Sequence, residues 1–221
     1  MSVRASRHGM WLRPGSLSTG SWSDYRFLDL VADWDGDGAG DLAGIAEDRL
    51  WIFPGMGKGS FAAPIGGWAG FAGFGRVAAA DDMDGDGNPD LVSRSGGDVW
   101  LHRGLGVDGL AAPVLLRAGA GSADAVLPAG FWNGDDTRDV VAVVDGRPEL
   151  WAGTDAGGLA APVDLTSEVN LGRYRRLSGA GDLSGDGHPD LLAVTRTGTA
   201  YILPGSFRGL GAPIRVARDW S

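Results

Sequence analysis

The chain has no cysteine, which excludes a disulfide framework, a thiol nucleophile and any cysteine-ligated zinc or iron–sulfur centre. Histidine is nearly absent, with only His8, His102 and His188, and none lies in a spacing that would pair it with a serine nucleophile or a second metal-binding histidine. Lysine occurs once, at Lys58. Basic residues number 19 against 28 acidic ones, for a net charge of −9, a balance that disfavours nucleic acid and anionic membrane surfaces as partners. No apolar run approaches the roughly 20 residues of a membrane-spanning helix. No apolar segment follows the polar start Met1 to Gly9 to make a secretory signal.

Glycine, by contrast, is abundant, at 39 of 221 residues. It lacks collagen's strict spacing and is accompanied by 43% hydrophobic residues, so the composition describes a turn-rich globular domain. A length of 221 residues is consistent with one domain spanning 1–221.

The chain repeats itself. Asp33-Trp-Asp-Gly-Asp-Gly-Ala-Gly-Asp41 recurs as Asp82-Met-Asp-Gly-Asp-Gly-Asn-Pro-Asp90 and as Asp182-Leu-Ser-Gly-Asp-Gly-His-Pro-Asp190, with a worn copy at Phe131-Trp-Asn-Gly-Asp-Asp-Thr-Arg-Asp139. The copies start 49, 49 and 51 residues apart. An aromatic segment keeps the same phase, as Trp51-Ile-Phe-Pro-Gly, Trp100-Leu-His-Arg-Gly, Trp151-Ala-Gly and Tyr201-Ile-Leu-Pro-Gly, with a further copy at Trp11-Leu-Arg-Pro-Gly. So does an Ala-Pro segment at Phe61, Leu110, Leu159 and Leu210. The apolar runs are short, alternating or β-branched, and bounded by Gly and Asp, which favours strands. Gly96-Gly97 and Thr197-Gly198 have the composition of hairpin turns.

Four short strands per unit of about 50 residues suit a propeller blade. The expected fold is therefore an all-β propeller of four complete four-stranded blades, at 26–74, 75–123, 124–173 and 174–221, preceded by a partial blade at 11–25. An incomplete first blade implies an open array, or one closed by a second copy or a partner segment.

The acidic loops have the composition of metal sites. Asp33, Asp35, Asp37 and Asp41 offer carboxylates at the first, third, fifth and ninth positions, with the Ala39 carbonyl at the seventh. The second loop offers Asp82, Asp84, Asp86 and Asp90 with Asn88, and the fourth offers Asp182, Ser184, Asp186 and Asp190 with His188. All-oxygen ligation by several carboxylates selects Ca²⁺ over transition metals, and Gly38, Gly87 and Gly187 permit a left-handed turn at the sixth position. Three Ca²⁺ sites are expected. The remaining loop keeps only Asn133, Asp135 and Asp139 and is expected to be degenerate. Thirteen of the 28 acids occupy ligand positions, so the other 15 are outnumbered by the 19 bases, and the acidity belongs to the loops.

On these loops and this period the sequence resembles the FG-GAP and VCBS repeat families, the blades of the integrin alpha-subunit propeller and of many bacterial extracellular proteins. Fragments of the signature stand at Phe74-Gly75 and Gly211-Ala-Pro213. The resemblance implies a Ca²⁺-bearing propeller that is secreted or displayed at the cell surface and serves in adhesion or in recognition of protein or glycan, with no catalysis of its own. Two alternatives are the non-catalytic propeller portion of a secreted hydrolase and a carbohydrate-binding lectin. The in-phase tryptophans Trp11, Trp51, Trp100 and Trp151 are expected to pack between blades. Trp22, Trp68, Phe71 and Trp132 fall outside that phase and are the candidates for a ligand surface.

Overall fold

The computed structural model describes residues 22–57 and 59–217. Most of the expected partial blade at 11–25, together with His8, Trp11, Lys58 and Trp220, lies outside the described residues.

The fold is an all-β propeller type with four four-stranded antiparallel blades. The first contains β1 (Phe27–Val31), β2 (Asp41–Ala46), β3 (Arg49–Phe53) and β4 (Ile65–Ala69). The second contains β5 (Gly75–Asp81), β6 (Asp90–Ser95), β7 (Asp98–His102) and β8 (Val114–Arg117). The third contains β9 (Ala123–Gly130), β10 (Asp139–Val144), β11 (Arg147–Trp151) and β12 (Val163–Asp164). The fourth contains β13 (Tyr174–Gly179), β14 (Leu191–Thr195), β15 (Ala200–Leu203) and β18 (Ile214–Ala217), with a two-residue ribbon of β16 (Gly205–Ser206) and β17 (Gly209–Leu210) before its last strand. In every blade the acidic loop joins the first strand to the second.

The second strands read Asp-Leu-Ala-Gly-Ile-Ala in β2 and Asp-Val-Val-Ala-Val-Val in β10, and each buries its first five residues. Such continuous burial requires cover on both faces, which neighbouring sheets supply in a propeller. Gly96 and Gly97 both adopt positive φ, at 60° and 91°, as a tight primed turn requires. The β2–β3 hairpin makes the same kind of turn with Glu47 and Asp48, at φ 50° and 58°, which no glycine marks in the sequence.

Contacts divide the chain into two compact units, one of residues up to 95 with 101–114 and the other of 96–100 with 115 onward. The core of the first includes Val31, Trp34, Ile45, Ile52, Phe71 and Leu91. That of the second includes Leu127, Trp132, Val141, Leu171, Leu191 and Leu203.

Two of the four candidate ligand-surface aromatics are corrected by this packing. Phe71 is fully buried, its ring stacked on His102 at 4.6 Å, and Trp132 is also fully buried. Trp132 stands at the second loop position, and its ring would be 2.7 Å from a Cβ on Gly205. Trp34 occupies the same place in the first loop, with 1% exposure, and its indole N–H donates to the Gly106 carbonyl at 2.8 Å. Trp22 and Trp68 are half-buried, with Trp22 against Phe53 at 5.2 Å and Trp68 stacked on Trp34 at 6.4 Å.

His102 has a partner the sequence does not reveal, sharing a 2.7 Å hydrogen bond with the Ser93 hydroxyl. Ser93 is 0% and His102 2% exposed, so the pair is sealed from any substrate and is structural. Burial lowers the His102 pKa to about 4. The fold therefore favours neutral imidazole: the contribution is complete above the unfolded pKa of about 6.5 and is lost as pH falls towards 4. Because the unfolded chain binds the proton more readily, acidification across this window should cost wild type about 2–3 kcal/mol that His102→Gln does not lose. Urea titrations of both proteins between those pH values measure the difference; parallel stability curves would refute the assignment.

Candidate metal centre

The loops are organised first by backbone amides. In the first loop the Asp33 carboxylate accepts the N–H groups of Gly36, Asp37 and Gly38 at 2.8, 2.9 and 2.7 Å. Asp182 in the fourth loop accepts those of Gly185, Asp186 and Gly187 at 2.7, 3.1 and 2.9 Å. Asp82 in the second accepts Gly85 and Gly87 at 2.8 and 3.1 Å. The glycines at the fourth and sixth positions have φ of 80° and 89° in the first loop and 80° and 94° in the second, left-handed geometry that aims successive amides inward.

This wrapping gathers three carboxylates with ligand oxygens within 4.8 Å of one another: Asp33, Asp35 and Asp37 in the first loop, Asp82, Asp84 and Asp86 in the second, and Asp182, Asp186 and Asp190 in the fourth. Among the described residues one cation approaches such a group, Arg103, 3.8 Å from Asp84. The amides of Ala39, Asn88 and His188, whose carbonyls are the expected seventh-position ligands, donate to the fifth-position carboxylates at 2.8, 2.8 and 2.9 Å. Each group is thus an all-oxygen donor set with excess negative charge, the chemistry of a hard divalent cation and of Ca²⁺ in particular. Amide donation holds the Asp182 carboxyl below the ordinary carboxylate range, led by Gly187.

The ninth-position aspartates behave differently. Asp41, Asp90, Asp139 and Asp190 are all 0% exposed. Asp41 accepts Trp34 and Asp35 amides at 2.8 and 3.2 Å on one oxygen and the Gly55 amide at 2.7 Å on the other. Asp90 repeats this with Met83, Asp84 and Gly104, at 2.8, 3.2 and 2.8 Å. Asp190 repeats it with Leu183, Ser184 and Gly205, at 2.8, 2.6 and 3.0 Å. Burial pushes the Asp41 and Asp139 carboxyls up and takes Asp90 to about 7, against the pull of these amides. The structure does not bring Asp41 or Asp90 into the compact carboxylate groups, whereas Asp190 joins its own.

The donating glycine has a second constraint. Gly55, Gly104, Gly153 and Gly205 each press on the carbonyl of the residue before the ninth aspartate, in order Gly40, Pro89, Arg138 and Pro189. A Cβ on any of them would meet that oxygen inside contact distance. These glycines are visible in the sequence at the end of each aromatic segment, but only tertiary contact shows why they are glycine.

The third loop keeps this clamp and lacks the three-carboxylate group. Asp139 accepts Asn133 and Gly153 amides, each at 2.9 Å. Asn133 donates to Asp135 at 2.6 Å, while the Thr137 amide and hydroxyl donate to it at 2.8 and 2.6 Å. Those Thr137 bonds lower the Asp135 pKa. Neutral side chains thus do here what a cation would do elsewhere.

Residues 33–93 match the family model described as an FG-GAP-like repeat. No curated protein sequence matches the chain. Its fold is similar to that of an Agrocybe aegerita lectin that recognises non-reducing terminal N-acetylglucosamine, with a TM-score of 0.58 and 19% identity over 87% of this chain and 52% of that one. It is also similar to the BP39L lectin of Burkholderia pseudomallei, with a TM-score of 0.52 and 14% identity over 86% of this chain and 56% of that one. A Photorhabdus luminescens Tc holotoxin pore matches with a TM-score of 0.52 and 21% identity over 100% of this chain and 11% of that one. The chain spans about half the length of the two lectins.

Two substitutions test the clamp apart from any metal. Gly104→Ala should destabilise by about 1–3 kcal/mol or more, because the methyl must displace a backbone carbonyl. Asp139→Asn should cost about 1–3 kcal/mol by removing charge-assisted bonds to buried amides, equally with calcium and with EGTA. Urea midpoints give both values, and a calcium-dependent loss for Asp139→Asn would contradict the separation of clamp and metal group.

Proposed function

We propose that this chain, a four-blade β-propeller carrying an FG-GAP-like repeat, is a non-catalytic recognition module for glycans outside the cell, stabilised by Ca²⁺. The observation that carries the metal reading is the convergence of three carboxylates in each of three loops, within 4.8 Å and with amides directed at them. Calcium would be held by Asp33, Asp35 and Asp37, by Asp82, Asp84 and Asp86, and by Asp182, Asp186 and Asp190, where it neutralises charge that otherwise opposes loop closure. Extracellular calcium, at millimolar levels, saturates sites with dissociation constants of about 10⁻⁴ to 10⁻³ M. The glycan reading is supported by the two lectins that share the fold, one of which recognises terminal N-acetylglucosamine. The burial of the Ser93–His102 pair supports a module without catalysis.

Calcium in excess should raise the melting temperature by roughly 5–10 °C over EGTA, from linkage at two or three sites. Asp84→Asn should shrink that rise and Asp135→Asn should leave it unchanged. Differential scanning calorimetry decides, and equal melting temperatures with calcium and EGTA would defeat the metal reading. A glycan array run in calcium tests recognition: selective signal supports it, and a blank array refutes it.

A further inference from the structure

Each blade turns one face towards the blade that follows it and the other towards the blade before it, and the repeat shows what each face packs on. In the first blade Ala43 and Ile45, two and four places after the buried aspartate, lie on the following face with Leu50 and Ile52. All four are 0% exposed, in one cluster with Leu91, Val77 and Ala79 of the second blade. The same positions of the third blade are Val141 and Val143, buried in one cluster with Leu191, Ala193 and Leu177 of the fourth. In the fourth blade these positions are Leu192 and Val194, and both are only half-buried. Ile202, opposite Leu192, is half-buried too. Ile214, opposite Ile202, is 49% exposed, whereas its first-blade counterpart Ile65, opposite Ile52, packs against the core shared with the second blade.

The preceding face of the first blade is open in the complementary way. Leu28 and Leu30 lie opposite Gly44 and Leu42, the register at which Val77 and Ala79 of the second blade lie opposite Ser93 and Leu91. Val77 and Ala79 pack against the first blade, but Leu28 and Leu30 are 38% and 55% exposed. Trp22 packs on Phe53 and Tyr25 on Gly44 of this face, as Phe71 and Phe74 pack on His102 in the second blade. The open part is therefore the strip along β1. Charge agrees, since Arg176, opposite Val194, stands exposed on the open face of the fourth blade and Asp24 stands exposed next to Tyr25 on that of the first.

We infer that the following face of the fourth blade packs on the preceding face of the first blade of a second copy of this chain. The first and second blades already make this pairing of faces within one copy, and so do the third and fourth. Because the two surfaces differ, the contact is heterologous, and every copy carries both halves of it. Leu192, Val194, Ile202 and Ile214 of one copy meet Leu28 and Leu30 of the other, which takes apolar side chains out of water. A second copy is a better occupant than an unrelated partner, because the residues on both faces are those that the repeat packs against itself.

Analytical ultracentrifugation of the 221-residue chain in calcium, at concentrations from about 1 to 200 µM, tests the contact by mass action. The mean mass should rise with concentration above the 22.8 kDa of one copy. Leu30→Asp on one face, or Ile214→Asp on the other, should weaken association at least about tenfold by burying a charge in an apolar contact. Mixing the two variants leaves one intact half-contact on each, and should restore association as a 1:1 pair that grows no further. That restoration also shows that both variants are folded. A wild-type chain that stays monomeric throughout, because other residues cover these faces, would overturn the inference. So would a mixture no more associated than its components, or either variant associating alone at wild-type strength.

Discussion

A buried carboxylate at the end of each acidic loop is the constraint on which the rest depends. Asp41, Asp90, Asp139 and Asp190 begin or immediately precede the second strand of a blade, and each ties the start of its loop to the glycine two residues past the end of the third strand. Buried amides without acceptors are costly, and an ionised acceptor bonds them more strongly than a neutral one. Replacing such an aspartate would release the loop from the sheet it caps. The glycine is locked in turn by the carbonyl beneath it, so register, loop and hairpin are set together.

In the first and second loops the carboxylates at the first, third and fifth positions sit on this clamp without being part of it, whereas in the fourth Asp190 serves in both. The third loop demonstrates the independence: Phe131 replaces the first aspartate, Thr137 and Asn133 tie up Asp135, and the Asp139 clamp remains. The blade can thus lose its three-carboxylate group and keep its fold. That freedom permits blades to diverge in what their loops present, with a carboxylate group in the first loop and a phenylalanine ring beside the equivalent glycine in the third.

Much of this was legible in the residues. The period, the strand-forming runs and the acidic loops all appear as spelling, because β-structure and oxygen ligation both depend on local patterns of residue type. The hairpin at Gly96-Gly97 was equally plain. Aromatic residues were read less well. Trp132 and Phe71 resembled surface residues because they break the repeat phase, yet the tryptophans at the second position of the first and third loops are buried, and Phe71 stacks on a histidine 31 positions away. Trp34 escaped notice for the same reason. The hydrophobic effect rewards burial of a large ring wherever a cavity exists, and the cavity is made by residues distant in sequence.

The sequence by itself determined the blade architecture and the chemistry of the loops, since each is written within a few consecutive residues. Only the tertiary structure decided that the ninth aspartate works as a clamp, that four glycines are required by an opposing carbonyl, and that the Phe207 ring stands beside Gly134 while the space beside Gly36 is open. These are properties of groups brought together by folding. Distance between non-neighbours, not residue type, sets whether a carboxylate meets amides or a cation and whether a space is left for a ligand.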